Sequence, residues 1–129
     1  MEPHDRTTPP AALLLSDDLL FRSRITGTAD ALGLTVHTVR TADELLRQAE
    51  TLRPACVLLD LHNPSLDVAA VVGRLKEQRP APRVIAYGSH VEAATLRRAR
   101  EAGCDRVLPR SQFVEELPQA LPAWLAPPA

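Results

Sequence analysis

The chain has 129 residues and a formal net charge of −1, enough for one domain that buries about two-thirds of its unfolded surface without metal or disulfide staples. Near-neutral charge leaves no electrostatic footprint for nucleic acid, the apolar runs are too short to span a bilayer, and no basic-then-apolar leader opens the sequence. The two cysteines, Cys56 and Cys104, form no CxxC or Cys/His cluster, which points to a reducing compartment and away from structural zinc, so a soluble cytoplasmic protein is expected.

Residues 1–10 are polar and proline-ended and read as a frayed tail, as do 126–129, leaving 11–125 as the folded domain. Ala11–Leu15 is an apolar run of buried-strand length, closed by Ser16-Asp17-Asp18, with Asp18 placed to cap the helix that follows. That helix covers Leu19–Leu32, with Leu20, Ile25, Ala29 and Leu32 as its apolar stripe and Gly33 at its end. Leu34–Val39 alternates as an edge strand does, and Thr41 and Glu44 have capping-box spacing at the start of a helix reaching about Leu52. Pro54 breaks the pattern. Ala55–Leu59, ended by Asp60, is continuously apolar, as a strand covered on both faces must be, and Cys56 within it reads as a buried, inert thiol.

Asn63-Pro64-Ser65 is turn chemistry, with Asn63 and Asp67 as loop and cap residues, and Leu66–Gln78 carries a third helical stripe on Leu66, Ala69, Ala70 and Leu75. Pro80 and Pro82 precede a fourth strand, Arg83–Tyr87, in which Tyr87 reads as a half-buried packing residue. Past Gly88-Ser89, Val91–Ala102 is a helix closed by Gly103, and Val107–Pro109 is a short fifth strand. Ser111 is placed to cap the last helix. Pro118 and Pro122 are expected to split that helix, the second piece restarting at Pro118, because an interior proline costs about 3 kcal/mol.

The order βαβαβαβαβα implies an α/β fold: a parallel sheet with helices on both faces and right-handed crossovers. In such a sheet the strand ends meet at one edge. Ser16-Asp17-Asp18, Asp60 and Arg110-Ser111 would therefore share one pocket in which carboxylates face a cation.

The segments AALLLSDDLLFR, CVLLDLHNPSLD and REAGCDRVLPRSQF resemble the receiver domains of two-component response regulators, from about Ala11 to Leu125. The resemblance implies a flavodoxin-like, doubly wound sheet in the order 2-1-3-4-5 with five helices, and a signalling module of a phosphorelay with Asp60 as phosphoacceptor. It also implies a Mg²⁺ ion on the two acids of the first loop, matched by Ser16 and Asp17, on Asp60, and on the backbone carbonyl of His62. Serine for an acid removes one charge and weakens that site. Gly88 stands where the family has a switch hydroxyl, with Ser89 beside it; Arg110 stands for the lysine, Ser111 for the proline after it, and Val107 for the swinging aromatic. Arginine keeps the charge but presents a planar fork instead of a compact ammonium.

The implied partners are a sensor histidine kinase or phosphotransfer protein and an effector protein on the face of helix 4, strand 5 and helix 5. Arg97, Arg98, Arg106, Glu115 and Glu116 give that face mixed charge, and a homodimer would use it too. With no room for an output module, output passes through a partner protein, without nucleic acid or membrane. Two other readings stay open. One is a phosphorylation-independent pseudo-receiver that acts as an interaction or scaffold module, with Asp17, Asp60 and Arg110 as a structural ion network. The remote one rests on Asp60-Leu-His62-Asn-Pro-Ser65, which partly resembles the DxHxxG signature of cobalamin-binding modules but has Ser65 for the glycine. An enzyme is not expected: no GxSxG, P-loop or GxGxxG follows a strand, and Ser16 has no histidine beside it to activate its hydroxyl.

Overall fold

A run of apolar residues with no polar alternation has to be covered on both sides, and the two such runs become central strands of one sheet. The structure, a computed structural model, describes residues 9–126, so most of the two expected tails lies outside the described residues. Strands β1 (Ala11–Leu15), β2 (Thr35–Val39), β3 (Cys56–Asp60), β4 (Arg83–Gly88) and β5 (Arg106–Pro109) alternate with helices α1 (Leu19–Ala31), α2 (Ala42–Leu52), α3 (Val68–Leu75), α4 (Ala93–Glu101) and α5 (Arg110–Leu125). All pairings are parallel, in the order β2-β1-β3-β4-β5. This is the doubly wound, flavodoxin-like arrangement expected from the sequence.

Strand alternation divides the core in two. Leu14, Leu58 and Ile85 face α1 and α5, where they meet Ile25, Phe113 and Leu117. Leu13, Leu15, Val57 and Leu59 face the other way, onto Leu45 of α2, Val72 of α3 and Ala99 of α4. The caps follow the sequence: Asp18 accepts from the Phe21 N–H at 3.1 Å, the Thr41 hydroxyl from the Glu44 N–H at 3.2 Å, and Asp67 from the Ala70 N–H at 3.2 Å. Gly33 and Gly103, with φ of 71° and 102°, take the left-handed turns that end α1 and α4.

Three helices differ from expectation. In α1 the buried stripe is Phe21, Ile25 and Ala29, while Leu20 is 84% exposed; the Asp18 cap fixes where the helix begins and turns Phe21 inward. In α3, Val71, Val72 and Leu75 are buried, and Ala69 and Ala70 are exposed. The largest apolar side chains take the sheet face.

Most clearly, α5 is one continuous helix through Pro118 and Pro122. Both prolines are exposed and lie four residues apart, each one residue after a buried leucine, Leu117 or Leu121, at the edge of the buried stripe. At the far end, Arg83 donates to the carbonyls of Ala123, Trp124 and Ala126 at 3.2, 2.8 and 2.8 Å, occupying acceptors that a helix C-terminus leaves open. The helix starts at Arg110, with Pro109 in the cap position and no side-chain cap, so Ser111 is a first-turn residue and not the cap.

The α1 geometry has a direct test in urea unfolding. Phe21→Ala is expected to cost about 3–5 kcal/mol, whereas Leu20→Gln stays within about 0.5 kcal/mol of wild type.

Candidate functional site at the carboxyl edge of the sheet

Register places three side chains in a row. Leu15 pairs with Leu59 and Asp60 with Tyr87, and directly paired residues of neighbouring strands leave the sheet on the same side. Counting by twos from Leu14, Leu58 and Ile85 sends Ser16, Asp60 and Tyr87 toward α1 and α5. All three are buried, at 0, 1 and 0% exposure. Tyr87 is thus wholly buried and not half-buried as its position suggested.

Asp60 is held by donors on each oxygen. The Ser16 hydroxyl donates to Oδ2 at 2.9 Å, the His62 N–H donates to Oδ1 at 2.9 Å, and the Arg110 guanidinium stands 3.9 Å from Oδ1. The Ser16 oxygen in turn accepts from the Asp18 N–H at 3.2 Å, which links the carboxylate to the start of α1. Arg110 lies over the Phe21 ring, 5.0 Å from its centroid, in a cation–π contact that fixes the guanidinium's plane. Phe21 is a site residue that sequence reasoning missed; its spacing of four and eight from Ile25 and Ala29 was the available signal.

Of the expected network of Asp17, Asp60 and Arg110, the structure brings only the last two together. Asp17 is exposed and in no ion pair among the described residues. Among the described residues no three His, Cys, Asp or Glu side chains gather into a metal-binding group. The His62 side chain points to Glu92, at 3.8 Å, and both are half-exposed.

Gly88 is buried, and a Cβ there would touch Leu61 and Leu96 at 3.4 Å. Those two side chains fill the space into which a larger residue would reach. The Ser89 hydroxyl accepts from the Val91 N–H at 3.4 Å, a local turn contact. Ser89, Phe21, Ser111 and two partners of Asp60, His62 and Arg110, line an open groove of about 730 Å³. Asn63 and Ser65 are spent on the loop: Asn63 donates to the Arg40 carbonyl at 3.0 Å and accepts from the Ser65 hydroxyl at 2.6 Å, and Ser65 accepts from the Ala42 N–H at 2.9 Å.

Near Asp60 the Tyr87 hydroxyl and Arg110 Nε are buried donors with no hydrogen-bond partner within 3.5 Å, the Ser16 hydroxyl being the neighbour that acts on the phenol. Burial pushes the Tyr87 phenol well above its ordinary range, the Asp60 charge pushes the same way, and the Ser16 hydroxyl and Arg110 partly oppose them. Elsewhere burial pushes the Cys56 thiol up to about 12 and Cys104 to about 11. Neither is a thiolate at neutral pH.

In a doubly wound parallel sheet, ligands bind outside the carboxyl ends of the strands, which is where Asp60 and Arg110 stand. The sequence profile of the response regulator receiver domain matches residues 12–122, and the chain belongs to that family. It is 33% identical over 85 residues to the positive alginate biosynthesis regulatory protein of Pseudomonas aeruginosa, covering 64% of this chain and 34% of that protein. It is 30% identical over 71 residues to the transcriptional activator protein ExaE of Pseudomonas putida, covering 55% of this chain and 33% of that protein. The matches thus span about a third of the length of these relatives. Among solved structures, a putative response regulator from Chloroflexus aurantiacus superposes with a TM-score of 0.80 at 18% identity, over 93% of this chain and 100% of that one. The phosphorylated cyanobacterial phytochrome response regulator RcpA superposes with a TM-score of 0.75 at 20% identity, over 95% and 98%. At these identities the likeness is one of fold.

Removing the cation by Arg110→Ala is expected to lower stability by about 1–2 kcal/mol, less than for a fully buried pair because the guanidinium is partly solvated. Tyr87→Phe should raise stability by about 1 kcal/mol, since it deletes a buried hydroxyl without a partner at nearly constant volume; thermal melts of both variants would check this. Alkylation by iodoacetamide at neutral pH is expected to leave Cys56 unmodified in the folded protein and to reach both thiols in urea, as read by intact mass.

Proposed function

We propose that residues 11–125 form a receiver that accepts a phosphoryl group on Asp60 and passes the signal to a protein partner. The observation that carries this reading is a buried carboxylate with a guanidinium 3.9 Å away that itself lines a groove open to solvent. In the transfer, an Asp60 carboxylate oxygen bonds to phosphorus as the donor's bridging bond to phosphorus breaks, and the leaving group keeps that electron pair. Arg110 offsets charge on the transferred oxygens, and the His62 N–H holds the attacking carboxylate in place. Asp17, Asp60 and the His62 carbonyl supply enough oxygen for a Mg²⁺ ion, which takes one or two carboxylates and keeps several waters. When bound, that ion would neutralise phosphoryl charge. Ser16 adds no charge to it, so the site is weaker than one with two acids on the first loop.

A sensor histidine kinase or phosphotransfer protein is the donor this reading requires, in the cytoplasm. Leu19 and Leu20, 69 and 84% exposed in the first turn of α1, offer such a partner an apolar contact at the site's edge. The face of α4, β5 and α5 is the surface proposed for the effector or a second copy of the chain. One observation favours a phosphorylation-independent adaptor instead: the Ser16 hydroxyl and the His62 N–H each donate to an Asp60 oxygen from within the protein.

Intact-mass spectrometry after incubation with acetyl phosphate and Mg²⁺ separates the two. One phosphoryl group on wild type, none on Asp60→Asn, and loss of labelling with EDTA are the expected results. An unlabelled wild type would leave the adaptor.

A further inference from the structure

The contact between Ser16 and Asp60 has the polarity of a nucleophile and its base. The hydroxyl donates to Oδ2 at 2.9 Å, so the proton already points at the atom that would take it. No histidine is placed to activate this serine, but a carboxylate 44 residues along the chain is. That carboxylate is oriented in turn by the His62 N–H, 2.9 Å from Oδ1, with the Arg110 guanidinium 3.9 Å from the same oxygen. The Asp18 N–H, 3.2 Å from the Ser16 oxygen, holds the serine side chain against the start of α1. An aspartate that accepts the proton of the attacking hydroxyl is a recurring part of phosphoryl transfer, and a fixed cation beside it offsets charge on the moving group. Ser16 is no deeper than Asp60, at 0 and 1% exposure. A donor that reaches the carboxylate therefore comes within reach of the hydroxyl.

We infer that Ser16 is a second phosphoacceptor of this site, with Asp60 as the base that takes its proton. This rests on the reading that phosphoryl donors enter the Asp60 pocket, and in any one molecule Asp60 serves either as acceptor or as base. In the step, Ser16 Oγ bonds to phosphorus as the donor's bridging bond to phosphorus breaks; the leaving group keeps that electron pair, and the hydroxyl proton passes to Asp60 Oδ2. Arg110 offsets charge on the transferred oxygens. The two products differ in lifetime. An acyl phosphate on Asp60 is a mixed anhydride that water and hydroxylamine cleave, whereas a phosphate ester on Ser16 withstands both. Ser16 thus records a phosphoryl supply lastingly and Asp60 transiently.

The test labels the full chain with acetyl phosphate and Mg²⁺, treats half of each sample with hydroxylamine, and reads intact and fragment masses for wild type, Ser16→Ala and Asp60→Asn. The expected wild type carries two populations, one removed by hydroxylamine and one that survives it and maps to Ser16. Ser16→Ala keeps only the labile population. In Asp60→Asn the resistant label falls by about 10²- to 10⁴-fold, the worth of a positioned base. The wild-type fragment map locates the group by itself, so the outcome does not depend on how well either variant folds. A wild-type label wholly removed by hydroxylamine, or a resistant one that maps elsewhere, overturns the role of Ser16 and leaves Asp60 as the acceptor. Resistant label on Ser16 undiminished in Asp60→Asn overturns Asp60 as its base. A wild type that takes no phosphoryl group at all overturns both readings.

Discussion

A carboxylate 1% exposed in the middle of a five-stranded sheet is the constraint around which this edge of the molecule is arranged. An isolated charge there would cost several kcal/mol, so each oxygen of Asp60 must find donors. The Ser16 hydroxyl and the His62 N–H come from the ends of β1 and β3, and the Arg110 guanidinium from the start of α5. Strand register brings the first two close; helix placement brings the third. Because Ser16 is itself held by the Asp18 N–H, and Asp18 caps α1, the carboxylate is tied to the helix that supplies Phe21 beneath Arg110.

Ser16 and Arg110 suit one another in this setting. Ser16 gives Asp60 a hydrogen-bond donor without adding a second negative charge. Arg110 is longer and flatter than a lysine and finds an aromatic ring on which to lie. Both favour neutral donors and stacking around the carboxylate.

The sheet was legible because alternation and apolar continuity report burial directly: the edge strand β2 and the central β1 and β3 lie where those patterns put them. So were the caps at Asp18, Thr41 and Asp67, where one side chain and one backbone N–H decide the geometry. Helix faces were less legible. In α1 apolar residues occupy both sides, and choosing Leu20 over the adjacent Phe21 rotates the whole stripe. The continuity of α5 was hidden because an interior proline's local cost can be outweighed by the packing of the helix's buried stripe, which only the folded structure decides. Within the site, Asp60 and Arg110 were readable from the strand ends. Tyr87 was not: its place beside Asp60 is a matter of register between β3 and β4, which no local pattern encodes.

The three contacts that Arg83 makes with the last carbonyls of α5 have a mechanical side. Arg83 opens β4, the strand that ends in Tyr87 and Gly88, so β4 and α5 run side by side with one end of the helix moored to the base of the strand. The other end begins at Arg110, directly after Pro109, which pairs with Gly88 in the sheet. Both ends of α5 are therefore anchored, one to the base of β4 and one through β5, and the helix acts as a strut that sets how far the guanidinium stands from the base of the sheet.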